Sequence, residues 1–320
     1  MDFGGLPNTL FQNNGDGTFA DVTEAAGVGD AARKSMNAIF CDLNRDGWPD
    51  IFVTNDTDAN GLYLNKGNGT FKPFSGPSGL STTDGSMGIA VGDINKDGQF
   101  DIVYTNYAAE VNVIAQLVDN QSSNDGRLKN AIFVHDFDSS LVHKLSWGTG
   151  LYDLDNDGDL DLFFANGHLN AVSGDNRQPN LLFENDGDGH FFDISEVAGI
   201  QASGERIHRS AIFADYDNDG LVDIYVSNNG QQVEDGKGNT IADEAQGVWV
   251  LYRNESKTKN RWLKVRLEGT KSNRDAYRAE VTATAGDLVL IQPLISELVT
   301  SLPMPENCIS VLECLTKLTD

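Results

Sequence analysis

A chain of 320 residues that is 39% hydrophobic is long and apolar enough to bury one large or two ordinary cores, which excludes a disordered chain. A formal net charge of −25 excludes nucleic acid as a partner, because a phosphate backbone attracts the opposite sign. Three cysteines, Cys41, Cys308 and Cys314, are too few for a disulfide framework, and no run of about 18 apolar residues marks a membrane span.

The opening MDFGGLPNTLFQ has neither the basic nor the apolar region of a secretion signal. It leads into LFQNNGDGTFADVTEAAGV, Leu10 to Val28, which reads as a strand, a Gly-Asp-Gly turn and a second strand. Asn-Gly and Asp-Gly suit tight hairpins because those turns need φ > 0. AIFCD then enters the acidic stretch Asp42 to Asp50, and IFVTN leaves it, so that stretch is itself a hairpin connection. The second unit restates the pattern: LYLNKGNGTFKPFSGPSGL (Leu62 to Leu80), GIAVGD, the stretch Asp93 to Asp101, and IVYTN. The third is irregular. Between Tyr107 and Leu145 no copy of the LYxN hairpin is seen; Asn124-Asp125-Gly126 stands at a suitable distance, but its flanks differ. GTGLYD, the stretch Asp153 to Asp161, and LFFAN follow. The fourth unit has LLFENDGDGHFFDISEVAGI (Leu181 to Ile200), SAIFAD, the stretch Asp215 to Asp223, IYVSN, an insert from Gly230 to Gly247, and VLYRN ending at Asn254.

The acidic stretches start 51, 60 and 62 residues apart, and each is followed by an Asn 13 residues after its first Asp: Asn55, Asn106, Asn166 and Asn228. That is an internal repeat. IFV, IVY, LFF and IYV are continuously apolar, as strands buried on both faces are. Four-stranded units of this length, in a chain with 33 glycines, predict an all-β fold, a β-propeller over residues 1–255. A calcium-binding parallel β-helix has far shorter repeats. Past Asn254 the balance inverts, with nine basic and three acidic residues between Arg253 and Arg278. WLKVRL and EVTATA read as strands of a small second β module over 256–320. Its basic segment suits docking on the acidic propeller, with a site for anionic glycans as the alternative.

Closely spaced carboxylates repel one another unless a cation sits between them. The four stretches hold 15 of the 48 acidic residues. Each places oxygens as the first half of an EF-hand loop does, with Gly at position 6 for the sharp turn. The last carboxylate is at position 9 rather than 12, and strands replace the flanking helices. The candidate ligands are Asp42, Asn44, Asp46, Trp48 and Asp50; Asp93, Asn95, Asp97, Gln99 and Asp101; Asp153, Asp155, Asp157, Asp159 and Asp161; and Asp215, Asp217, Asp219, Leu221 and Asp223. Position 7 (Trp48, Gln99, Asp159, Leu221) would give its backbone carbonyl. The expected cofactor is Ca²⁺ at about four sites. With Asn44 and Asn95 at position 3, the first two loops carry less charge and are expected to bind more weakly. His135, His143, His168, His190 and His208 form no metal set and are expected at the surface or in turns. His135-Asp136-Phe137-Asp138 has no partner at a catalytic spacing. No nucleophile elbow, zinc-protease helix or phosphate loop occurs, and the regular carboxylate pairs are accounted for as ligands, so no catalytic residue is assigned.

The DxDxDGxxD loop followed by an apolar strand and Asn resembles the FG-GAP/VCBS repeat of integrin α-chain propellers and many secreted bacterial proteins. SWGTGLYDLDNDGDLDLFFANGH, QPNLLFENDGDGHFFDIS and NRWLKVRLEGTKSNRDAYRAEVTATAGD resemble the cartilage acidic protein family with its C-terminal ASPIC/UnbV domain. The likeness runs from about Leu10 to Asp287 apart from the irregular stretch. It implies an extracellular or cell-surface calcium-binding propeller that acts in adhesion or recognition of a protein or glycan, and not an enzyme. The alternative is an enzyme or biosynthetic accessory protein of the UnbV type on the same scaffold. The tail after Asp287 departs from the family, as a divergent or frameshifted end would, and Arg278 stands where a small residue is usual. The start falls within a repeat, so the chain is expected to be a fragment of a larger ring.

Overall fold

The turn-punctuated repeats fold as a series of small antiparallel sheets. The computed structural model describes residues 4–29, 32–119, 128–133, 143–169, 177–203, 206–229, 231–234, 240–244, 248–265, 268, 280–285, 288–293, 300–304 and 311–313. His135 to Asp138, Asn124 to Gly126, Arg278, Cys308 and Cys314 lie outside them. Among the described residues no helix is long and apolar enough to cross a membrane.

Strands β1 (Phe11–Asn13) and β2 (Phe19–Asp21) form a hairpin, closed by a single helical turn, α1 (Thr23–Ala26). The first four-stranded sheet has β3 (Ser35–Cys41), β4 (Asp50–Asn55), β5 (Gly61–Asn65) and β6 (Phe71–Pro73) in chain order. After a second turn of helix, α2 (Ser75–Ser78), the next sheet takes β7 (Ile89–Gly92), β8 (Asp101–Tyr104), β9 (Val113–Asp119) and β10 (Leu128–Phe133). The third takes β11 (Ser146–Tyr152), β12 (Asp161–Asn166), β13 (Leu181–Asn185) and β14 (Phe191–Asp193). The fourth has β15 (His208–Ala214) and β16 (Asp223–Asn228); the insert forms its own hairpin, β17 (Gln231–Glu234) with β18 (Thr240–Glu244), and β19 (Val250–Tyr252) completes a three-stranded sheet. Beyond it, β20 (Arg261–Val265) contains WLKV and β21 (Glu280–Ala285) is EVTATA. β22 (Leu288–Pro293), β23 (Thr300–Met304) and β24 (Val311–Glu313) continue past Asp287, with β20 paired to β23 and β21 between β22 and β24.

The all-β, blade-like plan is as the sequence predicts, but the phase of the repeat is not. Each LYxN hairpin belongs to the sheet of the acidic loop before it, not after it: β5 pairs with β4, and β13 with β12. Within the irregular stretch after Tyr107, the described residues of β9 and β10 form the outer strands of the second sheet, where β9 lies against β8 without the LYxN letters.

The second strand of each of the first three blades is buried on both faces because its alternate residues point to opposite neighbours. Ile102 and Tyr104 of β8 join a core with Phe52, Leu62 and Leu80 of the first blade. Val103, between them, packs with Leu162, Phe164 and Phe183 of the third. Phe163 turns the other way, to Ile224 and Val226 of the fourth. Burying each such side chain is worth roughly 1.5–3 kcal/mol. The first strands of successive blades pack beside one another, β7 between β3 and β11, and β11 against β15. Gly148 of β11 permits this: a methyl group there would stand 2.6 Å from the backbone nitrogen of Ala211.

The Asn that ends each second strand is a buried connector. Asn60 Nδ2 donates to Ser86 Oγ (3.0 Å), which donates to Asn106 Oδ1 (2.8 Å). One blade on, Asn112 Nδ2 donates to Ser146 Oγ (2.8 Å), which donates to Asn166 Oδ1 (2.7 Å). Asn8, Ser35 and Asn55 make the same chain at 2.9 and 2.7 Å. In the fourth blade His208 stands where the serine would be. It is fully buried rather than at a surface turn, its ring nitrogens have no hydrogen-bond partner, and Asn180 Nδ2 turns instead to the Tyr252 hydroxyl at 3.2 Å. The sequence shows a lone histidine with no local cue that it fills a buried inter-blade position.

On its far side the fourth blade carries a row in register across three strands, Ile212, Tyr225 and Leu251. Ile212 is 61% and Leu251 47% exposed, whereas in the first blade Phe52 and Leu62, which match Tyr225 and Leu251, are fully buried.

Candidate metal centres

All four acidic loops adopt one backbone conformation. Position 4 is left-handed although none is glycine: Arg45, Lys96, Asn156 and Asn218 have φ of 55°, 57°, 59° and 61°. At position 6, Gly47, Gly98, Gly158 and Gly220 have φ between 83° and 97°, which a side chain would resist.

The conformation turns the carboxylates inward. The position 1 aspartate accepts from the position 6 N–H in each loop: Gly47 to Asp42 (2.7 Å), Gly98 to Asp93 (3.0 Å), Gly158 to Asp153 (3.0 Å) and Gly220 to Asp215 (3.2 Å). Position 3 accepts from the position 5 N–H in three loops, through Asn44, Asn95 and Asp155. Position 5 accepts from position 7: Trp48 to Asp46, Gln99 to Asp97, Asp159 to Asp157 and Leu221 to Asp219, all within 2.8–3.0 Å. The position 9 aspartates Asp50, Asp101, Asp161 and Asp223 each take the position 2 N–H on one oxygen, at 3.0–3.1 Å. In three blades the other oxygen accepts from the last residue of the LYxN hairpin, Asn65, Asn185 or Asn254. That Asn also donates to the position 8 carbonyl of Pro49, Leu160 or Val222. The repeated hairpin Asn is thus a clamp on the loop.

Burial makes these carboxylates costly. It pushes Asp50 up to about 7, Asp93 to about 6, Asp153 to about 7 and Asp161 to about 8. Asp155 rises to about 6 through burial and then the neighbouring charge of Asp157, with Glu184 adding to it. Asp42, Asp157 and Asp223 are raised, burial being the first cause in each. Among the described residues two triads bring carboxylate oxygens within 4.8 Å of one another: Asp153, Asp155 and Asp157, and Asp215, Asp217 and Asp223. Asp93 Oδ1 is buried without a hydrogen-bond partner. An all-oxygen donor set with an orphaned inward oxygen fits a hard cation of the Ca²⁺ type.

The side chains at position 7 do other work. Trp48 lies over Gly67, the turn of the adjoining hairpin, and Asp159 forms an ion pair with Lys96 of the preceding loop. Sequence reasoning missed this inter-loop relay. Arg45 donates to the Gly98 carbonyl and Asn156 Nδ2 to the Gly220 carbonyl (3.1 Å). The signal was the recurring polar residue before Asp-Gly. Beside the third loop, a groove of about 1040 Å³ runs between blades three and four, lined by Asp155, Asp157, Asp161, Glu184, Tyr252 and Arg253 among others.

Blades joined face to face, each hinged on a nine-residue Asp-rich loop, define a β-propeller-type repeat protein. The chain belongs to the FG-GAP-like repeat family, which it matches over residues 4–53, 42–104 and 153–226, more than half its length. It is similar to cartilage acidic protein 1 of Mus musculus, with 26% identity over 222 residues, 68% of this chain and 30% of that protein. The Homo sapiens protein of that name is 25% identical over 222 residues (68% and 29%), and the Xenopus tropicalis one 26% over 238 residues (72% and 32%). The chain thus spans about a third of the length of these relatives.

Proposed function

We propose that residues 1–255 form a calcium-stabilised propeller region of an extracellular or cell-surface recognition protein, with residues 256–320 as a separate β module. The observation that carries this reading is the four-fold recurrence of one loop whose inward carboxylates are held above the usual carboxylate range and, in the second loop, include an orphaned oxygen. Asp42, Asn44, Asp46 and Asp50, and their equivalents at positions 1, 3, 5 and 9 of the other loops, would hold the ion, with the carbonyls of Trp48, Gln99, Asp159 and Leu221. Bound Ca²⁺ neutralises the clustered charge; the blades supply the frame that keeps the donors converged. At extracellular affinities of about 10⁻⁴ to 10⁻³ M such sites fill outside cells and act as fixed supports. The partner is a protein or glycan, and the role adhesion or recognition. The reading assigns no catalytic residue: the raised carboxyls lining the groove, Asp155, Asp157 and Asp161, are ones the third loop would give to its ion.

Calorimetry tests this. The melting temperature should rise with millimolar CaCl₂ and fall with chelator, and an unchanged melting curve would sink the proposal.

A further inference from the structure

The residue just before the hairpin Asn is Leu64, Glu184 or Arg253, its register equivalent in the second blade is Gln116, where Leu117 replaces the Asn, and its charge differs from blade to blade. Where it is charged it acts on the loop of its own blade. Arg253 Nε stands 2.9 Å from Asp217 Oδ2, at position 3 of the fourth loop, and a terminal nitrogen stands 3.6 Å from Asp219 Oδ2, at position 5. A third contact, at 3.6 Å, reaches Glu255. Glu184, on β13 beside β12, lines the same groove as Asp155, Asp157 and Asp161 of the third loop. The two loops differ in how their acids converge. In the third, positions 1, 3 and 5 come together; in the fourth, position 9 takes the place of Asp219, which faces the guanidinium.

We infer that Arg253 is a tethered cation that competes with Ca²⁺ for the fourth loop, and that Glu184, at the equivalent position, reinforces the third. This rests on the calcium reading above. A guanidinium held by the chain has a high effective concentration beside these carboxylates. A divalent ion that needs Asp217 and Asp219 must first displace it. The charge at one hairpin position therefore grades the loops: raised affinity beside Glu184, lowered affinity beside Arg253, and neither effect beside Leu64 or Gln116. Counting carboxylates alone ranks the fourth loop above the first two; the arginine moves it below them.

Equilibrium dialysis and titration calorimetry with CaCl₂ on the full chain test the inference, with Arg253→Gln, Glu184→Gln and the double variant Arg253→Gln/Asp219→Asn. All changes are at exposed or partly exposed side chains, and circular dichroism checks the fold. The wild type should bind one ion more weakly than the others. Arg253→Gln should tighten that ion about three- to tenfold, the scale of one or two partly solvated ion pairs, and Asp219→Asn should remove the gain. Glu184→Gln should weaken a different, tighter ion by about two- to fivefold. An Arg253→Gln protein with unchanged or weaker binding, while several ions still bind, overturns the inference and leaves the calcium reading standing. Absence of Ca²⁺ binding in every protein overturns both.

Discussion

Asp155→Asn should change the sign of its effect with calcium. Position 3 already holds asparagine in the first two loops, where Asn44 and Asn95 accept the position 5 N–H at 3.0 and 3.2 Å, as Asp155 does at 3.2 Å. The amide is therefore compatible with the loop. Without a cation, burial and the Asp157 charge raise the Asp155 carboxyl from 3.8 to about 6. Such a group favours the folded state most below pH 3.8, and that contribution is lost as the pH rises through 6. The shift corresponds to a ceiling of about 3 kcal/mol at pH 7.5. Partial solvation and sharing with Asp157 reduce it to about 1 kcal/mol. In chelator at pH 7.5 the variant should be more stable than the wild type by that amount, and the gap should close below pH 4. In saturating calcium the order reverses, because the third loop has lost a charged ligand; a tenfold weaker site costs about 1.4 kcal/mol. Urea unfolding with and without calcium at two pH values measures all four stabilities. An effect of the same sign in chelator and in calcium would refute the reasoning, since it would mean that charge at position 3 does not serve an ion.

Ser146→Ala should cost about 2 kcal/mol in denaturant unfolding, because it leaves the buried Asn112 and Asn166 amides without their shared hydroxyl; the exposed control Ser210→Ala should stay within about 0.5 kcal/mol. The His208 ring is pushed down from 6.5 to about 4 by burial, then by Arg206 and, less, Arg209. Its contribution to stability is therefore whole above pH 6.5 and lost as the pH falls towards 4, up to about 3 kcal/mol in calcium-saturated protein. His208→Ser should flatten that acid limb, and an unchanged slope would place the proton elsewhere.

The sheet plan was legible because strand letters, Gly turns and Asp-rich loops repeat. What the letters do not encode is which neighbouring hairpin a loop joins, since LYxN stands between two loops. Hydrogen bonding decides it: Asn65 and Asn185 clamp the loop that precedes them. The outer strands of the second blade were invisible because β9 reads VIAQLVD, with no LYxN string or Asn-Gly turn beside it. The pairing of β8 with β9 and the burial of Ile114 and Ala115 place it there. The Asn 13 residues into each repeat was visible without its role, which needs the serine 20 residues before it and an Asn from the preceding blade. Arg253 stayed hidden for a different reason. It is 36 residues from Asp217, and only the pairing of β19 with β16 brings them together.

These contacts divide each blade junction into three levels. Apolar side chains fill the middle, the Asn–Ser–Asn chain fastens the end where the second strand stops except at the fourth blade, where His208 replaces the serine, and the loops meet at the other end. Up to the third blade the first two levels are satisfied by the chain alone. The loop level is not, because its cross-links run between groups that carry charge or sit beside it: Arg45 to Gly98, Lys96 to Asp159, Asn156 to Gly220. The position 6 turn donates its N–H to the position 1 carboxylate and carries, at Gly98 and Gly220, the carbonyl to which the preceding blade bonds. An ion bound as proposed would therefore act on the junctions as well as within each loop. With ions held as proposed, the Arg253 contacts to Asp217 and Asp219 would make the fourth loop the one least dependent on an ion.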